Sequence, residues 1–240
     1  MTDTMKKTAL ITGGSKGIGY GIAESLVREG YHVGITSRNP AAAGEAADRL
    51  NQIAAGHALP LEADVRDFEA QQRSVQILLD TWGRLDLLVA NAGLGHFGSV
   101  LDLTPEQWNE TIETNLTGVF YSIKATAEAL MQSEGLIVTI ASLAGTNFFA
   151  GGAAYNASKF GLVGFTQAVM LDLRNKGVRV TTIMPGSVTS NFNGHVPNER
   201  DAWKIQPEDM GQMVVDLTRL NPRTLPSKIE VRPSRPPSSK

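Results

Sequence analysis

The chain contains no cysteine. This absence excludes disulfide bonds, a thiolate nucleophile and any metal site built on cysteine, and it is compatible with a reducing compartment. The sequence also offers no cluster of His, Asp and Glu at the spacing of metal ligands, so we expect no bound metal and no requirement for a divalent ion.

The sequence has neither a surplus of basic residues nor a long apolar run. Its 22 basic and 24 acidic side chains give a formal net charge of −2 at pH 7, so nucleic acid and anionic membranes are not indicated as partners. The polar residues 1–7 lead into a strand without an apolar signal segment, and no later apolar stretch is long enough to span a bilayer. We therefore expect a cytoplasmic protein that binds a small molecule.

Short apolar runs alternate with longer amphipathic segments from Lys7 onwards. Repeated strand-then-helix order implies a parallel sheet with crossovers on both faces. At 240 residues the chain can form one large α/β domain, and nothing requires a second. The predicted strands are Thr8–Thr12, His32–Ser37, His57–Glu62, Leu85–Ala90, Gly135–Ala141, Arg179–Met184 and Lys228–Val231. The predicted helices are Ile18–Glu29, Ala41–Ala54, Phe68–Trp82, Pro105–Gln132, Tyr155–Lys176 and Pro207–Leu220.

The first strand runs into a glycine-rich turn, TGGSKGIG, at residues 12–19. Small residues allow the backbone to turn tightly and approach a pyrophosphate, whose charge the N-terminus of the helix beginning near Ile18 would stabilise. Glycines also cap helices and close ordinary turns. At the first strand-to-helix junction of a doubly wound pattern, the spacing Gly-x-x-x-Gly-x-Gly of Gly13, Gly17 and Gly19 favours a dinucleotide site.

The second strand ends at Ser37-Arg38-Asn39, without the carboxylate that commonly holds a free ribose 2′-hydroxyl. Arg38 is available for a 2′-phosphate, and Lys16 in the glycine turn could supply a second positive charge. Both could equally be solvated surface cations. The missing carboxylate and the added guanidinium together favour NADP over NAD.

Tyr155 and Lys159 are four residues apart, and if Ala153–Arg174 is one helix this spacing places the phenol and the ammonium side by side. A phenol with a pKa near ~10 transfers protons poorly at neutral pH, and an adjacent cation should lower that pKa. Ser142 follows the apolar run Leu136–Ala141, so its hydroxyl should emerge at the carboxyl end of a strand, where open α/β sheets bind ligands. Each residue alone also has an ordinary explanation as packing, a solvated charge or a turn.

Together these features resemble the short-chain dehydrogenase/reductase family over roughly Lys7–Val231. The resemblance implies a Rossmann-type, doubly wound sheet of seven mainly parallel strands with helices on both faces. The most specific matches, in chain order, are the TGGSKGIG turn, Asn91-Ala92-Gly93, Asn115, Ser142, the Tyr155 and Lys159 pair, and Pro185-Gly186.

The resemblance implies a catalytic set of four residues. Tyr155 would exchange a proton with the substrate oxygen as hydride passes to or from the nicotinamide. Ser142 would donate a hydrogen bond to the same oxygen and stabilise developing negative charge. Lys159 would bind the nicotinamide ribose and, with the oxidised ring, lower the pKa of the phenol. Asn115 would hold a water that links Lys159 to solvent.

The resemblance also implies the cofactor contacts. Asp64 and Val65 would contact adenine, and residues 91–93 would line the adenosine ribose. Val188 and Ser190 would hold the carboxamide, although the family more often has threonine at the position of Ser190. The complete predicted cofactor set is Gly13, Ser15, Lys16, Gly17, Ile18, Gly19, Ser37, Arg38, Asn39, Asp64, Val65, Asn91, Ala92, Gly93, Tyr155, Lys159, Pro185, Gly186, Val188 and Ser190.

Two segments depart from the family pattern. Residues 191–206, which should form a substrate lid, are short and contain Phe192, His195 and Trp203, which implies a shallow or open pocket. The chain end LPSKIEVRPSRPP replaces the glycine-rich ending that many relatives use in subunit packing, so a homodimer rivals the usual homotetramer. Residues 232–240 are expected to form a flexible tail.

Loop side chains after the fourth, fifth and sixth strands should shape the pocket and favour an apolar or aromatic carbonyl compound over a sugar; they could equally just cover the sheet end. They are His96, Phe97, Leu143, Phe148, Phe149 and Phe192. The favoured function is an NADPH-dependent carbonyl reductase, with a 3-oxoacyl thioester or 3-oxo acid among the candidate substrates. The alternatives are an NADP-dependent alcohol or 3-hydroxy acid dehydrogenase, and a dinucleotide-binding regulator without turnover. The intact Ser142, Tyr155 and Lys159 count against the regulator.

Overall fold

The computed structural model describes residues 6–237, which form an α/β fold around one seven-stranded sheet. The spatial order is β3-β2-β1-β4-β5-β6-β7, and every pairing is parallel. The predicted fold class is therefore confirmed, and the sheet is wholly parallel. The strands are β1 Thr8–Ile11, β2 His32–Ser37, β3 Ala58–Glu62, β4 Leu87–Ala90, β5 Leu136–Ile140, β6 Arg179–Pro185 and β7 Lys228–Val231.

Helices cover both faces of the sheet. Several begin at a side chain that satisfies an otherwise unpaired backbone N–H. Asn39 accepts from the N–H of Ala42, and Thr104 forms a reciprocal capping box with Gln107. The helices are α1 Gly17–Arg28, α2 Pro40–Ile53, α3 Phe68–Trp82, α4 Pro105–Ile112, α5 Gly118–Gln132, α6 Ala153–Leu173 and α7 Pro207–Arg219. None of the helices within residues 6–237 combines the length and apolar character needed to cross a membrane.

The core consists of two apolar layers that share the sheet between them. Ile11 and Val138 face the layer under α1, α2 and α7, whereas their neighbours Leu10 and Ile137 face the layer under α3, α5 and α6. Successive strand residues point to opposite faces, so a sheet covered on both sides needs continuous apolar strands. This requirement explains why short uninterrupted apolar runs predicted the strands.

The predicted helix Pro105–Gln132 is not continuous. A π-helical segment, Glu113–Thr117, separates α4 from α5 and contains Asn115. The wholly buried amide of Asn115 exchanges two hydrogen bonds of 2.8 Å with the backbone of Leu94 and donates a third to Ser158 Oγ at 3.0 Å. These partners satisfy a polar group that would otherwise be costly to bury, and π segments of this kind often mark functional sites.

The order in which strands are added to the sheet reverses between β1 and β4. Strands β2 and β3 extend the sheet on one side of β1, and strands β4 to β7 extend it on the other. The loops after β1 and β4 therefore diverge and leave a crevice at their carboxyl ends, the usual ligand site of an open α/β sheet. This crevice is where the predicted site residues should meet.

Candidate active site

A cleft of about 910 Å³ opens at the carboxyl ends of the strands, and the loops after β1 to β6 line it. Almost every residue of the predicted cofactor and catalytic sets lies along this cleft. The exceptions are Gly19 and Asn115, which lie behind its wall. The sequence therefore predicted which residues the fold brings together, and their individual roles remain predictions.

The glycine turn has the backbone geometry that its composition predicts. Gly13 and Gly17 adopt φ angles of +64° and +56°, which residues other than glycine rarely adopt. A Cβ on Gly19 would lie 2.5 Å from both the Gly13 carbonyl oxygen and Asn91 Nδ2. Gly19 thus allows α1 to pack against the turn. Asn91 Nδ2 fixes the same turn by donating to the carbonyls of Thr12 and Gly13, at 2.9 and 3.2 Å.

The N-terminus of α1 is open to the cleft. Its N-cap residue, Lys16, is extended and makes no side-chain capping hydrogen bond. Residues 15–18 line the cleft around this terminus. Backbone N–H groups without a side-chain cap, together with the helix dipole, suit a negatively charged group such as a pyrophosphate.

A charged cluster that the sequence did not reveal forms one rim of the cleft. Glu110 on α4 lies 3.9 Å from Arg38 Nη1 and 3.8 Å from Arg66 Nη1, and its other carboxylate oxygen lies 2.8 Å from His96 Nε2. The hydrogen bond with His96 lowers the pKa of Glu110, with smaller contributions from both arginines. No local pattern identifies Glu110, because its partners come from three other loops.

Asp64 lines the same part of the cleft and binds Arg66 at 2.7 Å. Burial would raise the pKa of Asp64, but the hydrogen bonds from Arg66 outweigh burial and lower it. His96 was expected to be a wall residue. It does line the cleft, and it also holds Glu110.

Tyr155, Lys159 and Ser142 meet where β5 ends and α6 begins. Lys159 Nζ lies 5.7 Å from the centroid of the Tyr155 ring and donates to the Ile140 carbonyl at 3.0 Å. The Ser142 hydroxyl lies near Tyr155 and accepts from the N–H of Ala144 at 3.1 Å. The four-residue spacing of the pair therefore produces the predicted proximity.

The pKa of Tyr155 shifts in the opposite direction to the one expected. Burial raises the pKa of Tyr155, and the nearby Ser142 hydroxyl offsets only part of this effect. Lys159 is itself almost wholly buried, and burial lowers its pKa to about 8. Removal of the phenol from water is therefore the main cause of the raised pKa, and the Lys159 ammonium donates instead to the Ile140 carbonyl.

The six predicted pocket residues occupy different places. His96 and Phe192 line the cleft. Leu143 packs toward Gly186, and a Cβ on Gly186 would lie 3.1 Å from Leu143 Cδ1. Phe97 contacts the Tyr155 ring, and Phe149 contacts Phe97. Phe148 is 86% exposed, and its place in the pocket stays a prediction.

Comparison with known proteins gives a consistent result. The family model for short chain dehydrogenases matches residues 7–201. Sepiapterin reductase from Chlorobaculum tepidum is 35% identical over 238 residues, covering 96% of this chain and 97% of that protein. A 3-oxoacyl-acyl-carrier-protein reductase, FabG, from Staphylococcus aureus is 32% identical over 196 residues, covering 81% of this chain and 80% of that protein. The alcohol dehydrogenase from Thermococcus sibiricus, solved with 5-hydroxy-NADP, has a TM-score of 0.90 and 28% identity, with 98% and 100% of the two chains covered.

The chain belongs to the short-chain dehydrogenase family. It is an oxidoreductase of the class that interconverts CH–OH and C=O groups, and its family binds nicotinamide dinucleotides. The residues present fit such a cofactor. The glycine turn with its positive φ angles at Gly13 and Gly17 and the open N-terminus of α1 can bring backbone N–H groups to a pyrophosphate.

In this short-chain dehydrogenase, residues 191–206 form two single-turn 3₁₀ helices, Phe192–Gly194 and Glu199–Asp201. The buried carboxylate of Asp201 binds His195 Nε2 and Lys204 Nζ, each at 2.6 Å. Hydrogen bonds from Lys204 and then His195 hold the pKa of Asp201 well below its usual range. Asp201 therefore ties together a segment that contains little regular structure.

The C-terminal residues and the possible metal ligands of the dehydrogenase were also predicted from the sequence. Residues 232–237 are mostly exposed, with Pro233 close to Gly186, and residues 238–240 of the predicted tail lie outside the described residues. Within residues 6–237, no group of three or more His, Asp or Glu side chains is arranged to hold a metal ion.

Proposed function

We propose that the protein is an NADP(H)-dependent oxidoreductase that transfers hydride between the nicotinamide and a ketone or secondary alcohol, and that it acts as a carbonyl reductase. The observation that carries this proposal is the meeting of Tyr155, Ser142 and Lys159 beside a glycine-lined cleft. A protein that only bound a dinucleotide would need no proton donor there.

The bound cofactor would supply a hydride to the carbonyl carbon. Tyr155 gives its proton to the carbonyl oxygen, and its raised pKa keeps that proton available at neutral pH. Ser142 Oγ already accepts a hydrogen bond from Ala144, so its own hydrogen is available for the same oxygen and stabilises the developing negative charge. The two hydroxyl groups thus act together on one atom.

Lys159 and Asn115 complete the proposed proton-transfer set. With a pKa of about 8, Lys159 carries a positive charge at neutral pH and can hold the nicotinamide ribose. The Asn115 NH₂ group already uses both its hydrogens on Leu94 and Ser158. A water on this side chain must therefore bind Oδ1. A Cβ on Gly93 would lie 3.2 Å from Asn115 Oδ1 and 3.7 Å from Lys159 Nζ, so both groups border the same space.

The charges at the end of β2 support NADP as the cofactor. Arg38 and Lys16 line the cleft at the end that would receive the 2′-phosphate, and the end of β2 carries no carboxylate. Glu110 shares Arg38 and would partly compete with a phosphate. The bound 5-hydroxy-NADP of the similar Thermococcus sibiricus dehydrogenase also supports this choice.

The proposal extends to the surroundings of the site. Residues 191–206 would serve as a short substrate lid, since Phe192 and His195 line the cleft. The exposed Phe120 of α5 and Phe160 of α6 support a subunit contact in a homodimer or homotetramer. Light scattering of the purified protein will give the number of subunits. The proposed location of the protein is the cytoplasm.

NADPH consumption across a panel of ketones, diketones, 3-oxo esters and quinones tests the proposed function. We expect at least one class to be reduced with NADPH at a higher kcat/KM than with NADH. An NADH preference would overturn the cofactor assignment. Tight binding of NADPH without turnover of any compound, in either direction, would favour a regulator instead.

A further inference from the structure

Three phenylalanine rings from three different loops form a cluster beside Tyr155, and two of them contact its ring. Phe97 lies edge-on to Tyr155, with ring centroids 5.3 Å apart, and Phe192 lies 5.6 Å from it. Phe97 also contacts Phe192 at 6.4 Å and Phe149 at 6.0 Å. We refer to Phe97, Phe149 and Phe192 as the phenylalanine triad.

Glycines make the convergence of these rings sterically feasible. A Cβ on Gly95 would lie 2.8 Å from Phe97 Cζ and 3.0 Å from Phe192 Cζ. A Cβ on Gly152 would lie 2.6 Å from the ring of Phe149. Contacts this short would displace the rings, so the triad depends on the absence of side chains at both positions.

Hydrogen bonds fix the two loops that carry Phe97 and Phe149. The N–H of Gly98 donates to the Gly151 carbonyl at 2.9 Å and joins the loops directly. The largely buried Asn156 donates to the carbonyls of Ala144 and Asn147 and accepts from the N–H of Phe149. Because the backbone of these loops is already ordered, little conformational entropy should be lost when a ligand binds against the rings.

The triad keeps much of its apolar surface in contact with water. Phe97, Phe149 and Phe192 are 45%, 49% and 37% exposed. Three adjacent exposed aromatic rings beside a proton donor form a surface that a ligand would cover favourably. Their mutual angles are far from parallel, with interplanar values of 43° to 65°. The triad therefore presents both ring edges and ring faces.

We propose that the preferred substrate carries a flat aromatic or conjugated ring next to its carbonyl group, and that the phenylalanine triad binds this ring. The inference rests on the proposed carbonyl reduction and names its substrate class. A saturated ring of the same size would cover the same area, but it lacks the edge-to-face attraction between π systems. Each favourable ring pair is worth about 2- to 12-fold in binding beyond its buried area.

A matched pair of ketones tests the substrate class. Acetophenone and cyclohexyl methyl ketone share one carbon skeleton and differ in whether the ring is aromatic. We expect Phe97→Leu and Phe192→Leu each to lower the ratio of kcat/KM for the aryl ketone to that for the cyclohexyl ketone by about 2- to 12-fold. Phe148→Leu is the control and should leave the ratio unchanged, because within residues 6–237 no aromatic ring contact joins this 86% exposed side chain to Tyr155 or to the triad.

A binding measurement separates this inference from the proposed reaction. Benzamide and cyclohexanecarboxamide, titrated calorimetrically into the NADP-loaded protein, test ring recognition without turnover. Aromatic preference that disappears in Phe97→Leu would support the triad even if no ketone were reduced. Preserved ratios in both triad variants, in kinetics and in binding, would overturn the inference while leaving carbonyl reduction intact. Cofactor affinity and far-UV circular dichroism of each variant confirm that it has folded.

Discussion

At the scale of single residues, Arg38 and Glu110 set the balance of charge where a 2′-phosphate would bind. We expect Arg38→Ala to weaken NADPH binding by about 1.5–3 kcal/mol and NADH binding much less, because a charged hydrogen bond to the phosphate is lost. Glu110→Gln should act in the opposite direction and tighten NADPH selectively, since it removes a carboxylate 3.9 Å from that guanidinium. Fluorescence titration with both cofactors measures these affinities.

The control for these variants is Glu106→Gln, which removes the same charge from α4 at a position that, within residues 6–237, forms no ion pair with Arg38 or Arg66. It should leave the ratio of NADPH to NADH affinity unchanged. Equal losses of affinity for NADPH and NADH in Arg38→Ala would mean that this side chain does not bind the 2′-phosphate.

At the scale of secondary-structure elements, the π-helical segment Glu113–Thr117 holds α4 and α5 to the loop after β4 through Asn115. We expect Asn115→Ala to lower the free energy of unfolding by about 2–4 kcal/mol, because it leaves the partly buried Leu94 N–H and carbonyl without these partners. Ser158→Ala, which removes a single one of these bonds, should cost less. Urea unfolding of the three proteins measures the difference, and a cost for Asn115→Ala no larger than that of Ser158→Ala would contradict this role.

The same elements show what sequence reasoning can recover. The strands were predictable because a sheet buried on both faces requires uninterrupted apolar runs, as in Leu136–Ile140. The π segment was not, since apolar spacing does not reveal which carbonyl each N–H selects. Glu110 was missed because its partners are remote in sequence.

At the scale of the whole molecule, the cleft imposes a stability cost through buried Lys159. A pKa lowered from 10.5 to about 8 corresponds to a penalty of about 3 kcal/mol below pH 8. Between about pH 8 and 10.5 the unfolded chain holds this proton and the folded protein releases it. Stability contributed by this residue therefore rises with pH across that window.

Lys159→Met should abolish the rise in the free energy of unfolding with pH that the buried ammonium causes. We expect the free energy of unfolding of the unmodified protein to rise by about 1–2 kcal/mol relative to Lys159→Met between pH 7.5 and 9.5. Lys124→Met removes an exposed ammonium and should follow the unmodified protein. Urea unfolding at the two pH values checks this prediction. Parallel behaviour of Lys159→Met and the unmodified protein would show that burial does not shift this lysine.

The direction of the Tyr155 pKa shift is also a property of the whole fold. Its four-residue spacing from Lys159 predicted an adjacent cation, and the two side chains are close. The spacing could not report how much water the loops after β4 and β5 exclude, and this exclusion raises the pKa of the phenol. A protonated tyrosine at neutral pH can donate to a carbonyl, as the proposed reduction requires.

The most direct test of this account is single-turnover hydride transfer by Tyr155→Phe, measured beside its affinity for NADPH. The account predicts that hydride transfer to a ketone slows by about 10²–10⁴-fold while NADPH affinity changes little, because the lost hydroxyl acts only in the transition state. An unchanged rate of hydride transfer in this variant would contradict the central claim that the Tyr155 phenol donates the proton.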